Sequence, residues 1–125
     1  MKYFCETISA DLARKLKEKG MPMALWKKDG FDFIEVIETR KEIFDESLTY
    51  EVGVRYEVPL YSEVLDWFME KDVYIRIEPF LNKVKNCYWS WYINQEDEPR
   101  IESDFYFDSW HKAANAAIEK ALTLI

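Results

Sequence analysis

From residue 59 to residue 125 the chain reads as one continuous pattern: an amphipathic helix, three strands of alternating polarity, and a second amphipathic helix. This order constrains the fold more than any other feature. Each helix has one apolar stripe and each strand one apolar face, and stacked layers bury both. Ser62 reads as the N-cap of a helix over 62–71 whose inner stripe is Val64, Leu65, Phe68 and Met69, with Glu63, Asp66 and Glu70 outward. Trp67 sits beside that stripe, at the seam between the two halves of the chain. Val73, Ile75 and Ile77 alternate with Tyr74, Arg76 and Glu78, and residues 79–86 read as a loop. Cys87, Trp89, Trp91 and Ile93 alternate with Tyr88, Ser90 and Tyr92, and after a polar turn Ile101, Ser103, Phe105 and Phe107 alternate with Glu102, Asp104 and Tyr106. Ser109 caps a last helix over 109–124 whose inner face is Trp110, Ala113 or Ala114, Ala117, Ala121 and Leu122. Its small Ala residues allow close approach to a sheet.

The first half is less regular. Residues 2–6 read as a short strand or arm, and a helix over 9–19 follows from the cap Ser9, the repeat of Ile8, Leu12 and Leu16, and the closing Gly20. Asp29-Gly30 suits a type I′ hairpin between strands at 21–28 and 31–38. Residues 39–47 read as a charged loop, and Tyr50, Val52, Val54, Tyr56 and Val58 as one face of a half-buried strand. The expectation is a single α+β domain over 1–125 with an antiparallel sheet, helices packed on one face, and a C-terminal half in the order αβββα.

Aromatic residues make up 17% of the 125 and apolar residues 49%, which excludes a disordered chain and supplies a core. With 24 acids against 17 Lys and Arg the net charge is −7, which counts against a nucleic-acid partner and favours a soluble protein or one that meets a basic partner. No run approaches the ~18 apolar residues of a membrane helix, and the charged start MKYFCETISADLARKLKEKG does not read as a signal peptide. No membrane association and a cytoplasmic location are expected. Cys5 and Cys87 form no CxxC pair and read as reduced core thiols.

No catalytic, cofactor-binding or metal-ligating constellation is readable, and no enzyme activity or cofactor is expected. The sole histidine, His111, has no second histidine for a paired motif and reads as an exposed residue. The carboxylates fall in charged loops or on wet strand faces, where nothing desolvates them. One feature is left over. If Ile75, Ile77, Trp89, Trp91 and Phe105 face the helices, then Tyr74, Arg76, Tyr88, Tyr92 and Tyr106 share the opposite sheet face. Tyr and Arg are enriched where proteins bind one another. Three coverings are open for this face: residues 21–58 of the same chain, a protein partner or second copy, and a small ligand or nucleic acid.

The segments ISADLARKLKEKGMP (8–22), VPLYSEVLDWFMEKDVYIRIEP (58–79) and SWHKAANAAIEKALTLI (109–125) together resemble a set of small proteins of unassigned function encoded by Bacteroidetes genomes, their phages and mobile elements. Leu12, Ala13, Leu16, Lys17, Glu18, Lys19, Gly20 and Pro22 match that set's LA..LKEKG.P pattern. Pro59, Tyr61, Glu63, Val64, Leu65, Asp66, Trp67, Glu70 and Lys71 match its aPtyaEvlDWl.eK pattern, from which Leu60 and Ser62 depart. The resemblance implies an α+β fold and carries no known activity, ligand or catalytic residue. The order helix, three strands, helix also resembles the double-stranded-RNA-binding domain and small antitoxin domains of degenerate related fold. That resemblance implies the fold alone, since Trp110, His111 and Lys112 stand where a basic phosphate grip belongs. The leading expectation is a non-enzymatic interaction or regulatory module. The alternative is a module that binds nucleic acid weakly, or one that mimics its charge.

Overall fold

A computed structural model describes residues 6–30, 32–81 and 87–125, with only the backbone of Leu81. Cys5, most of the arm expected over 2–6, Phe31 and the stretch 82–86 lie outside the described residues. The chain is α+β, and the described residues form three helices and five strands in two antiparallel sheets where one sheet was expected.

Ser9 caps α1 (Ala10–Glu18), its Oγ accepting the Leu12 N–H at 3.3 Å, and Gly20 closes it at φ +94°. The Asp29-Gly30 hairpin is not formed. Gly30 N–H donates to Lys27 O at 2.7 Å in a local turn, without the positive φ that a type I′ turn needs. The hairpin is instead built from β1 (Phe33–Lys41) and β2 (Thr49–Glu57), paired from Phe33↔Glu57 to Lys41↔Thr49. Residues 39–41 belong to β1, and the loop is 42–48. Residues around Leu25 add only a bridge to Tyr56 on the other edge of β2, with Trp26 N–H donating to Arg55 O and Glu57 N–H to Ala24 O.

In α2 (Tyr61–Glu70) the N-cap is Leu60, not Ser62, and the carboxylate of Glu63 takes the Leu60 N–H at 3.0 Å. Its buried residues are Tyr61, Val64, Trp67 and Phe68; Met69, expected inside, is 49% exposed. The helix is therefore rotated toward the Trp67 side, because that large ring buries more apolar area than the Met69 side chain would. β3 (Val73–Leu81) runs through Pro79 rather than ending there, and pairs with β4 (Cys87–Gln95). Against β4 lies β5 (Ile101–Glu102), and α3 (Trp110–Leu122) closes the fold with Ser109 Oγ accepting the Lys112 N–H.

One buried cluster joins Leu12, Ala13 and Leu16 of α1, Ile34 of β1, Val64 and Phe68 of α2, Val73 and Ile93 of the larger sheet, and the Ala stripe of α3. Both α2 and α3 lie on the larger sheet, α3 across β3 and β4, while α1 touches α3 and β1. Cys87 is exposed rather than in the core, at the end of β4 where it pairs with Leu81.

Candidate interaction face

Directly opposed residues of an antiparallel pair share a face. The β3–β4 register therefore sets Ile75, Ile77 and Pro79 with Ile93, Trp91 and Trp89 on one side. Tyr74, Arg76, Glu78 and Phe80 stand with Asn94, Tyr92, Ser90 and Tyr88 on the other. The first side packs on the helices. On the second, Tyr74, Arg76, Glu78, Phe80 and Tyr106 are exposed and Tyr88 and Tyr92 half-buried. Residues 21–58 do not cover it in the described structure: the β1–β2 hairpin stands against α1 instead. Tyr74, Arg76, Tyr88 and Tyr92 thus share this side, and Tyr106 reaches it by stacking on Phe80.

Phe105 departs from the alternation and is 65% exposed. Ser103 N–H donates to Trp91 O at 3.0 Å, and Trp89 and Phe107 exchange both backbone bonds at 2.7 Å. Between these anchors one strand advances from 103 to 107 while β4 advances only from 91 to 89. The extra residues bulge outward, as unpaired residues in a ladder must, and carry Asp104, Phe105 and Tyr106 with them. The bulge makes an open hollow of about 320 Å³, lined by Glu78, Ser90, Tyr92, Arg100, Asp104 and Tyr106 among others. Arg100, absent from the expected site, reaches the hollow because the turn after β4 folds back. Its guanidinium lies 4.6 Å from the Tyr92 ring centroid and 3.1 Å from Glu102 Oε1.

The rest of the face is wired by exposed contacts. Tyr92 OH donates to Glu78 Oε1 at 3.0 Å, and Arg76 Nε lies 3.9 Å from the same oxygen. Phe80 and Tyr106 stack at 4.8 Å with their planes 18° apart. Water-exposed ion pairs contribute little to stability, so these groups are at hand for exchange with another surface. No carboxylate here is desolvated, and among the described residues no three His, Cys, Asp or Glu side chains converge on one point.

His111 corrects another expectation. It is half-buried, and its Nε2 meets the carboxylate of Glu6. The ring stands edge-on to Tyr61 at 5.7 Å, and Tyr61 OH donates to Asn115 Oδ1 at 2.7 Å. Burial pushes the Tyr61 phenol up from its ordinary value. The cluster ties the segment at 6–8 to the starts of α2 and α3, since Tyr61 N–H also donates to Glu6 O at 2.9 Å. This is a staple between elements. A contact between residues 105 apart leaves no local pattern to read.

Comparison with family models, with curated proteins and with solved structures found no match.

Proposed function

We propose that the protein is a non-enzymatic interaction module that docks a protein partner on the outer face of the β3–β4–β5 sheet. The observation that carries this reading is the openness of a face so rich in Tyr, Phe and Arg. Tyr106 is 54% exposed, and Arg76 and Arg100 stand beside the half-buried Tyr92, while half-buried Tyr88 lies opposite Phe80. Half-buried aromatic residues keep part of their apolar area for a partner and have few rotors left to freeze. The hollow beside Arg100 would seat a side chain with both acceptors and donors. A net charge of −7 favours a basic partner.

The test is capture of host proteins on the tagged chain, with nuclease added, by the wild type and by a Tyr88→Ala, Tyr92→Ala variant. A stoichiometric partner held by the wild type and weakened roughly 10- to 100-fold by the variant, as expected for lost central aromatics, supports the reading. Equal binding by both chains removes it.

A second reading is favoured by the order α2–β3–β4–β5–α3 with both helices on one sheet. A protein with that layout would bind RNA through cations at the start of α3. Lys112 is paired there with Asp108 at 2.9 Å and His111 with Glu6, which weighs against it. A salt-sensitive mobility shift with RNA would revive it.

A further inference from the structure

The open edge of β3 has a readable chemistry. Trp89 and Trp91 direct their backbone bonds toward β5 and the strand beyond it. By antiparallel alternation the even residues of β4 then bond to β3, so Tyr74, Arg76, Glu78 and Phe80 make the ladder. Ile75, Ile77 and Pro79 turn their backbone groups the other way, to an edge with no partner among the described residues. Pro79 has no N–H to offer and stands where the β3–β4 ladder asks for none. Beside this edge α2 leaves Met69 exposed and Leu65 half-buried, and with Tyr74, Ile75 and Arg76 they line a hollow of about 550 Å³.

We propose that this edge pairs with the β3 edge of a second copy, antiparallel, about a two-fold axis at Ile77. In that register Arg76 stands opposite Glu78 of the copy, and Tyr74 opposite Phe80, on both sides of the axis. The two Ile77 residues exchange both backbone bonds, and each Ile75 N–H finds a Pro79 carbonyl. Opposite charges directly opposed stabilise a strand pair and like charges destabilise it. An axis at Arg76 would set Arg against Arg, and one at Glu78 would set Glu against Glu. At Pro79 the central pair would have no N–H at all, and at Ile75 the residues Glu78 and Phe80 would lie beyond the overlap. Only the Ile77 register matches charge, ring and backbone together. The open edge of β1 offers nothing comparable: an axis at Ile37 opposes Val36 to Glu38 and Ile34 to Arg40, and one at Glu38 opposes carboxylate to carboxylate. The second copy would lie over Leu65 and Met69, covering apolar area that α2 leaves wet, and would join two Tyr-rich faces into one.

Sedimentation of the full chain tests this. A dimer is expected in the micromolar range. Arg76→Glu and Glu78→Arg should each weaken it, by roughly 10- to 100-fold, because each places like charges opposite one another on both sides of the axis. The double variant should recover most of the affinity, since the pair is restored with its signs exchanged. All three changes are at exposed positions, and circular dichroism would verify the fold. A chain monomeric throughout that range, a dimer indifferent to the single reversals, or a double variant that fails to recover overturns the proposal. It stands apart from the partner reading, whose test substitutes Tyr88 and Tyr92 of β4, off the paired edge.

Discussion

Glu38 of β1 is bonded by Arg40 of its own strand and by Tyr56 of β2, and Lys17 of α1 stands close by. Tyr56 OH donates to its carboxylate, Arg40 Nη2 lies 3.0 Å away, and Lys17 of α1 sits 3.9 Å over the Tyr56 ring. The Tyr56 hydrogen bond first, then that of Arg40, holds the Glu38 carboxyl below its ordinary value, while the same bond raises the Tyr56 phenol. The sign follows from linkage. A carboxyl depressed in the folded state contributes stability above its unfolded pKa and loses it as pH falls through the folded value. The raised phenol works oppositely, contributing below its unfolded pKa and losing it as pH rises through the folded one. We therefore expect Glu38→Gln to lower the urea midpoint at neutral pH, and the difference from wild type to vanish under acid. A gap that persisted at low pH would mean Glu38 acts through packing alone. Lys17 and Glu38 each read in the sequence as an ordinary charge; their meeting depends on how α1 lies against β1.

At the scale of elements, the starts and stops of the helices were legible wherever the signal was local. Ser9, Gly20 and Ser109 do what their residue types suggest. Ser62 does not, because Glu63 stands at the third helical position and its longer side chain reaches back to the Leu60 N–H. Glu63→Ala should cost about 1 kcal/mol by urea unfolding, whereas Ser62→Ala should stay within about 0.5 kcal/mol; a reversal would reinstate Ser62 as the cap. The strands were legible in their alternation but not in their ends. Pro79 reads as a breaker because it lacks a donor, yet the parity of β3 turns its nitrogen to the open edge. Asp29-Gly30 reads as a hairpin turn, yet β2 pairs fully with β1, and residues 24–26 are left to the other edge of β2. Phe105 follows the period of two in the sequence, and the bulge over 104–106 overrides it.

Across the whole molecule, Phe68 is fully buried where α2 meets the common core. Phe68→Ala should destabilise the chain by about 3–5 kcal/mol, read from the urea midpoint; a loss under about 1 kcal/mol would mean that the core collapses onto the gap. The same core leaves the hairpin's far end unsupported. Ile37, Ile43, Phe44, Leu48 and Tyr50 are all exposed there, with Phe44 at 97%, and nothing in their alternation foretold it. The sequence by itself determined three helices, the inner faces of α1 and α3, and the alternation that sets Tyr74 and Arg76 on one face of β3 and Tyr88 and Tyr92 on one face of β4. Each of these follows from a period of 3.6 or 2 that neighbouring residues impose on one another. Tertiary structure alone decided which faces stay open, which strand edges are paired, and where Glu6 and Arg100 come to rest. Those depend on contacts between residues far apart in the chain, and a local period fixes which side of an element is apolar without fixing what will lie against it.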